Sequence, residues 1–279
     1  MKVDREAHDQ VYGLSTSSLA NLTSASDYIS EYEATRVAPY YAGGTTKGYV
    51  RGLAVRELIK SADATGRPRD QIVVMDAGCG LGELTVYLAC LGFQTVGVDL
   101  SSVGCRAAEQ LAANMGVTDR CRFLPESLER TSLPSNSVDF VVGHGALHHF
   151  IKYEGVPAEF LRVMKHGAKG FFADSFGENA LYHVFHNKER MERLGDVILS
   201  KDLITNYFKD FNVEITPADW FTMLDKVYGK IMPASLLGVR RKLSRIHFTI
   251  DRRLPASSRL ALTLSGSALT AIEKSRDSA

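Results

Sequence analysis

The sequence predicts an α/β protein with a doubly wound, mostly parallel sheet and helices on both faces. The first observation is a regular alternation of short apolar strands and helices between Ile72 and Asp174. Such alternation implies right-handed crossovers and a parallel sheet covered on both sides. The second is a glycine-rich turn directly after the first strand, at residues 78–82. With 45% hydrophobic residues among 279, the chain can bury one large core.

Residues 1–61 are predicted to form a helical N-terminal cap. Asp27 can cap a short helix that Pro39 ends. A longer helix with one apolar face is expected at residues 49–61, and Gly66-Arg67-Pro68 then breaks it ahead of the first strand.

Residues 62–279 are predicted to form the main domain, with seven strands separated by helices. The strands are expected at residues 73–76, 94–98, 121–124, 137–143, 170–174, 212–215 and 268–273. Helices are expected at residues 83–91, 102–115, 156–165 and 200–208, the second capped by Ser101 or Ser102. A helical insertion is predicted at residues 220–258, before the last strand.

The turn after the first strand carries glycines at alternate positions, Gly78, Gly80 and Gly82. Glycine lets the backbone turn sharply and approach a ligand with no Cβ in the way. The next strand ends in Asp99, which places a carboxylate where ribose hydroxyls would lie if a nucleoside sat over the turn. The pair therefore indicates a nucleoside-binding site.

The spacing of the glycines separates two kinds of cofactor. The dinucleotide pattern G-x-G-x-x-G would need glycine at position 83, where the chain has Glu83, so a nicotinamide-dependent oxidoreductase is the weaker alternative. The acid-x-G-x-G-x-G form, starting at Asp76, resembles motif I of the class I (Rossmann-fold) S-adenosylmethionine-dependent methyltransferases. Asp99 falls where that family keeps its ribose-binding acid.

The resemblance covers about residues 72–174 and implies S-adenosyl-L-methionine as cofactor and methyl transfer as activity. It also implies that the last strand inserts antiparallel between the fifth and the sixth. A protein that binds S-adenosylmethionine without transferring its methyl group is a further alternative, since binding and turnover use the same contacting residues.

The expected cofactor site combines the glycine turn with the ends of neighbouring strands. The backbone of the turn and the following helix N-terminus suit the carboxylate of the methionyl moiety, and Asp76 would orient the turn. Cys79 is expected to fill space beside the ligand. The cofactor-binding residues are predicted to be Asp76, Gly78, Cys79, Gly80, Asp99, Leu100, Ser127, Leu128, Gly143 and His144.

The adenine contact is ambiguous. The family carries Asp-Ala before a Leu-Pro pair here, and this chain departs from it: Ser127-Leu128 aligns by distance from Phe123, and Glu129 by distance from Leu133-Pro134. We favour Ser127-Leu128, with Glu126 or Glu129 near the exocyclic amine. An ordinary solvated loop is the alternative.

Three histidines follow the fourth strand, where ligands of parallel sheets bind. Leu147-His148-His149 resembles the Leu-His-His of small-molecule and quinone-type methyltransferases. The catalytic candidates are His144, His148 and His149, because a neutral imidazole can take a proton from an oxygen or nitrogen nucleophile. Each one alone could instead shape the pocket or pack on the next helix.

Acceptor-binding candidates lie in the two regions that commonly cover the acceptor pocket in this family. They are Tyr40 in the N-terminal cap, the pair Trp220-Phe221, and Arg240 and Arg241 in a basic segment. Core packing explains the aromatic residues equally well. The basic segment, residues 236–259, is predicted to be an amphipathic helix with a solvated face; an anionic acceptor or a membrane surface is the alternative.

The composition and charge limit the kinds of binding partner that the sequence predicts. The net charge is +1, and no motif of nucleic-acid methyltransferases is present, which favours a small-molecule acceptor over nucleic acid. The apolar run from Leu84 to Val98 is shorter than the about 20 residues that span a bilayer, so no stable membrane insertion is expected. The four cysteines lack zinc-ligand spacing. Without a secretory leader at the N-terminus, they suggest reduced thiols in the cytoplasm and no metal.

Overall fold

The strands predicted from the alternating pattern form a single sheet. The computed structural model describes residues 6, 9–10, 12, 19–39, 42, 48–177, 197–218, 231–251 and 265–275. The strands are β1 (Val73–Ala77), β2 (Gln94–Val98), β3 (Cys121–Leu124), β4 (Val138–His144), β5 (Met164–Ser175), β6 (Asn212–Ala218) and β7 (Ser267–Glu273).

The sheet has seven strands in the order β3-β2-β1-β4-β5-β7-β6. β1 pairs in parallel with β2 and β4, while β7 runs antiparallel between β5 and β6. The predicted doubly wound, seven-stranded, mostly parallel sheet with an antiparallel last strand is therefore confirmed. The strand order reverses at β1, so the crevice beyond the carboxyl ends of β1, β2 and β4 is where this topology binds ligands.

Helices cover the sheet and join its strands. They are α1 (Ala25–Tyr32), α2 (Gly48–Asp63), α3 (Glu83–Cys90), α4 (Ser102–Met115), α5 (Leu147–Phe150), α6 (Val156–Val163), α7 (Lys201–Tyr207) and α8 (Leu237–Asp251). A π-helical segment, Glu33–Val37, extends α1. Of the predicted helical insertion, residues 231–251 are described and contain α8; residues 219–230 and 252–264 lie outside the described part.

Two predicted boundaries were wrong. Ser24, rather than Asp27, caps α1, and its Oγ accepts a hydrogen bond from the backbone N–H of Asp27. α6 ends at Val163 and β5 begins at Met164, six residues earlier than expected at 170. The carbonyls at the end of α6 are satisfied from other parts of the chain. The Lys274 ammonium donates to those of Leu161 and Met164, at 2.7 and 2.9 Å, and the N–H groups of residues 136 and 137 donate to those of residues 162 and 163.

The N-terminal helices share the core of the sheet. Tyr28 and Tyr32 of α1 and Val50 and Leu58 of α2 are buried in one apolar cluster with Val86 of α3. A boundary near residue 61 thus remains a prediction about domains. Across the described residues, no helix is long and apolar enough to cross a membrane.

The packing around the glycine turn allows a stability test. A Cβ at Gly82 (φ +75°) would lie 2.4 Å from the Cβ of Ala108, whereas one at Gly116 (φ +68°) would meet nothing within 4 Å. Both Gly82→Ala and Gly116→Ala impose left-handed strain of about 1–2 kcal/mol. Gly82→Ala adds overpacking of about 1–3 kcal/mol. Urea unfolding followed by circular dichroism should show the larger loss at Gly82; equal losses would contradict this packing.

Candidate active site

The glycine turn joins the ends of β1 and β2. The N–H groups of Gly78 and Cys79 both donate to the carbonyl of Val98, at 2.8 and 3.1 Å. Gly78 has φ +77°, and a Cβ there would lie 2.8 Å from the Cβ of Ala146, in the segment after β4. Glycine is therefore required at Gly78, and the turn lies against the carboxyl ends of three strands.

Asp99 is tied to the same turn. One carboxylate oxygen accepts a hydrogen bond from the backbone N–H of Gly80 at 2.9 Å, and the other accepts from the N–H of Ser101 at 2.8 Å. The side chain is 6% exposed. These bonds hold the acid at the end of β2 and leave it at the wall of a cavity.

A first cavity of about 200 Å³ opens beside Asp99. Its walls come from the glycine turn, the end of β2, the loop after β3 and the segment after β4. They consist of Tyr12, Gly78, Cys79, Gly80, Val98, Asp99, Leu100, Glu126, Ser127, Leu128, His144, Gly145, Ala146, His149, Phe150, Lys152 and Tyr153. Most of the residues predicted to bind a nucleoside cofactor therefore line one cavity.

The loop after β3 presents one of its two candidate carboxylates to this cavity. Glu126 lines the wall, and its carboxylate also accepts from the N–H of Ser132 at 2.7 Å. Glu129 is used elsewhere, because its carboxylate accepts from the N–H of Gly155 at 3.1 Å. Ser127 and Leu128 lie at the wall as expected.

A second cavity, of about 230 Å³, adjoins the first through Tyr12, Gly78, Cys79 and His144, which line both. Its remaining lining is Tyr32, Arg51, Asp76, Leu81, Glu83 and Leu84. Three charged side chains, Arg51, Asp76 and Glu83, therefore line the second cavity.

Arg51, which is half-buried, and Asp76, which is buried, are two of the charged residues that line the second cavity. The Nε of Arg51 is buried and, within the described residues, has no hydrogen-bond partner. Asp76 is 2% exposed and accepts from the Thr85 hydroxyl at 2.7 Å. Burial raises the pKa of Asp76 to about 7, against the lowering effect of the Thr85 bond and with a further increase from the Asp99 charge. A guanidinium nitrogen without a protein partner and a carboxyl group in the wall of the same cavity suit a zwitterionic ligand.

The three histidines have different surroundings. His148 Nδ1 lies 2.5 Å from a carboxylate oxygen of Asp174, the penultimate residue of β5. Asp174 is buried and also accepts from the N–H of Leu147 at 3.2 Å. Since a carboxylate only accepts, Nδ1 carries the hydrogen and the lone pair lies on Nε2 of neutral His148.

His144 and His149 lie nearer the cavities. His144 Nδ1 is 3.5 Å from the Tyr32 hydroxyl, and burial, followed by the nearby Arg51 charge, lowers the pKa of His144 well below its usual value. His144 is therefore neutral at physiological pH. His149 lines the first cavity, and its ring centroid is 4.0 Å from that of His148.

The remaining predicted site residues are distributed as follows. Gly143 ends the buried run of β4 next to His144, and a Cβ there would lie 3.0 Å from the Phe172 ring. Arg240 and Arg241 lie on α8. Tyr40, Trp220 and Phe221 lie outside the described residues.

Several residues of the site were not predicted from the sequence. Asp174 ends the predicted fifth strand, so the reasoning that singled out Asp99 at the end of β2 could have found it. Glu83 lies directly after the glycine turn. In the sequence it indicates only that the dinucleotide pattern lacks its third glycine, and its acidic side chain gives no separate signal. Arg51 and Tyr12 carry no comparable signal, because each is one residue in a helical segment without a motif.

The sheet order, the glycine turn and the acid after β2 define the class I S-adenosylmethionine-dependent methyltransferase fold. Residues 75–172 match the family described as "Methyltransferase domain". Residues 75–172 thus form a methyltransferase domain, and the resemblance to the class I S-adenosylmethionine-dependent methyltransferases seen in the sequence is confirmed.

The chain is also similar to curated methyltransferases. It is 23% identical over 181 residues to a sterol 4-C-methyltransferase of Caenorhabditis elegans, covering 63% of this chain and 54% of that protein. It is 31% identical over 111 residues to protein arginine N-methyltransferase 1 of Schizosaccharomyces pombe, covering 39% of this chain and 31% of that protein. The chain thus spans about half or less of the length of these relatives.

Among solved structures, a similar one is the geranyl diphosphate C-methyltransferase of Streptomyces coelicolor A3(2), in complex with Mg²⁺, geranyl diphosphate and S-adenosyl-L-homocysteine. The TM-score is 0.58 at 13% identity, with 97% of this chain and 98% of that chain covered. At this identity, the likeness concerns the fold.

Proposed function

We propose that this protein transfers the methyl group of S-adenosylmethionine to a small-molecule acceptor. The observation that carries the proposal is the junction of the two cavities at Gly78 and His144, close to the His148–Asp174 pair. A cavity whose walls suit a nucleoside and a second cavity whose charges suit a zwitterion thus meet at the carboxyl edge of the sheet. A candidate base lies close to them.

The described residues fit S-adenosylmethionine along its length. Asp99 would accept from the ribose hydroxyls, and Glu126 with Ser127 and Leu128 would contact the adenine. In the second cavity, Arg51 would pair with the cofactor's carboxylate through the nitrogen that lacks a protein partner, and Asp76 with its ammonium. When bound, the cofactor supplies an electrophilic methyl group on its sulfonium.

His148 is the residue that we assign as general base. A Cβ at Gly145 would lie 3.9 Å from both Arg51 Nη2 and His148 Cε1, so His148 stands beside the same glycine as the proposed carboxylate-binding arginine. Asp174 holds the ring with the hydrogen on Nδ1, leaving Nε2 free to take a proton from an acceptor hydroxyl or amine. Asp174 would also stabilise the imidazolium that forms.

A small acceptor is favoured over a protein or nucleic acid. The relatives include a protein named for sterols, and a fold match named for geranyl diphosphate covers nearly the whole chain. The net charge of +1 offers no general attraction for nucleic acid. Tyr40, Trp220, Phe221, Arg240 and Arg241 remain candidates for acceptor contact, and a cytoplasmic location remains a prediction from the cysteines.

Cofactor identity is tested by calorimetry with S-adenosylhomocysteine and with NADH, after mass spectrometry of the purified protein for bound cofactor. We expect binding of the former only. Asp99→Ala should lower that affinity at least tenfold, because charge-assisted hydrogen bonds contribute about 1.5–3 kcal/mol each. The exposed Asp119→Ala is the matched control. Tight NADH binding, or a folded Asp99→Ala protein with unchanged affinity, would contradict the cofactor assignment.

The assignment of the base is tested with the acceptor found in a methylation screen. His148→Ala should lower kcat by about 10²–10⁴-fold, with S-adenosylhomocysteine affinity nearly unchanged. Asp174→Asn should lower kcat as well, and the double variant should be no slower than His148→Ala alone, because the two residues act as one unit.

The exposed His166→Ala serves as the control for this series, and thermal melting checks that each variant is folded. Additive losses in the double variant would refute the positioning role of Asp174. A His148→Ala enzyme with normal turnover would refute the base.

The raised pKa of Asp76 predicts how cofactor binding depends on pH. Its carboxylate should bind the cofactor's ammonium only when ionised, so affinity is present above about pH 7 and is lost as the pH falls below it. Affinity for S-adenosylhomocysteine should be about tenfold weaker at pH 6 than at pH 8.

Two variants test this assignment. Asp76→Asn should flatten the pH dependence of the affinity. Thr85→Val should move its midpoint to higher pH, because it removes the hydrogen bond that lowers the pKa of Asp76. A wild-type affinity that does not vary between pH 6 and 8 would contradict the role of Asp76.

A further inference from the structure

The exposed large apolar side chains of the described residues are concentrated in one place. All six lie between Ile231 and Ile250: Ile231, Leu236, Leu237, Val239, Ile246 and Ile250. Scattered exposed apolar residues are normal on a protein surface, but a contiguous group marks an interaction site.

Four residues of α8 form one stripe along the helix. Val239, Leu243, Ile246 and Ile250 follow one another at intervals of four, three and four residues, which places them on one side of a helix. Val239, Ile246 and Ile250 are 45%, 55% and 43% exposed, and Leu243 is half-buried. We refer to these four residues as the α8 stripe.

The other sides of α8 carry most of its polar residues, together with the exposed Leu237 at its first position. Arg241, Lys242 and Arg245 are exposed. With 3.6 residues per turn, Lys242 and Arg245 flank the stripe on one side, and Arg241 lies on the opposite side of the helix. Ser244 is 5% exposed and Arg240 is half-buried, four residues apart, so the side of α8 that faces the rest of the protein is polar. A helix that packs into a core normally does the reverse, with its apolar side buried.

We propose that α8 is a docking surface for an anionic lipid bilayer, lying in the plane of the membrane surface. The α8 stripe would enter the boundary between headgroups and acyl chains, as amphipathic helices with basic flanks do. Lys242 and Arg245 would lay their aliphatic stems along that boundary and place their charges among anionic headgroups. Arg241, on the far side of the helix, would add electrostatic attraction at longer range. This inference does not rest on the proposed methyl transfer.

The charge of the α8 surface distinguishes an anionic membrane from other binding partners. In a symmetric pair of chains joined along the stripe, the same basic residues of both copies would be brought close together, which opposes association. A nucleic-acid backbone would satisfy the three charges but would leave the apolar side chains in water. An anionic bilayer satisfies both.

The experiment is co-sedimentation of the full chain with vesicles. Vesicles of phosphatidylcholine alone are compared with vesicles of phosphatidylcholine and phosphatidylglycerol, at low and physiological salt. We expect binding to the anionic vesicles, weakened by salt. The triple variant Arg241→Gln, Lys242→Gln, Arg245→Gln should bind about 30-fold more weakly, mostly through the loss of Lys242 and Arg245. The double variant Ile246→Ser, Ile250→Ser should bind at least tenfold more weakly.

A matched control removes three exposed charges elsewhere, in Arg106→Gln, Arg120→Gln, Arg122→Gln. It should bind nearly as well as the wild type, and thermal melting checks that all variants are folded. Equal binding to both kinds of vesicle, or equal losses in the α8 and control triple variants, would overturn the proposal. A wild-type dimer that binds no vesicles and is dissociated by the Ile246→Ser, Ile250→Ser change would assign the stripe to a second copy instead.

Discussion

The left-handed backbone of the glycine turn is the constraint on which the site depends. Gly78 lies so close to Ala146, and Gly82 so close to Ala108, that a Cβ at either glycine would meet a neighbouring Cβ within 3 Å. The turn can therefore approach the segment after β4 and the helix α4 at the same time. Because the freed N–H groups of Gly78 and Cys79 bind the end of β2, Asp99 is brought within reach of Gly80. The walls of both cavities follow from this arrangement.

Helix α1 and its π-helical extension are held to the same turn through Glu83, the first residue of α3. Its carboxylate receives two hydrogen bonds from the Arg36 guanidinium, at 2.6 and 2.9 Å, and its carbonyl accepts from the Tyr28 hydroxyl. Tyr32 stacks on Tyr87 with ring centroids 4.3 Å apart. A bidentate, half-buried pair at a helix N-terminus is a favourable place for an acid. The residue that argues against a dinucleotide cofactor thus holds α1 beside the second cavity, which Tyr32 lines.

The sequence was sufficient to predict the sheet. It was insufficient to predict which side chains of the site contact one another. Strands rich in β-branched residues and helices with clear caps, such as α4 with Ser101 at its N-cap, can be predicted from their own residues. Their observed bounds agree closely with the prediction. The carbonyls at the end of α6 are satisfied in part by Lys274, more than a hundred residues away, and this contact cannot be predicted from the helix's own segment. The same holds for the choice among the histidines. Only the strand order brings Asp174 to His148, and only the loop conformation separates Glu126 from Glu129.

The apolar periodicity of a helix also leaves a question open, namely which surface covers the apolar side. In α4, the apolar residues Cys105, Ala108, Leu111 and Met115 recur at helical spacing and are buried against the sheet. In α8, a stripe with the same spacing points outward, while Ser244 faces inward. The two patterns are alike in sequence, because periodicity reports that a helix has two sides and not what covers each of them. In α4, the covering surface is the sheet of the same chain. In α8, the basic residues beside the stripe are what indicate the covering surface.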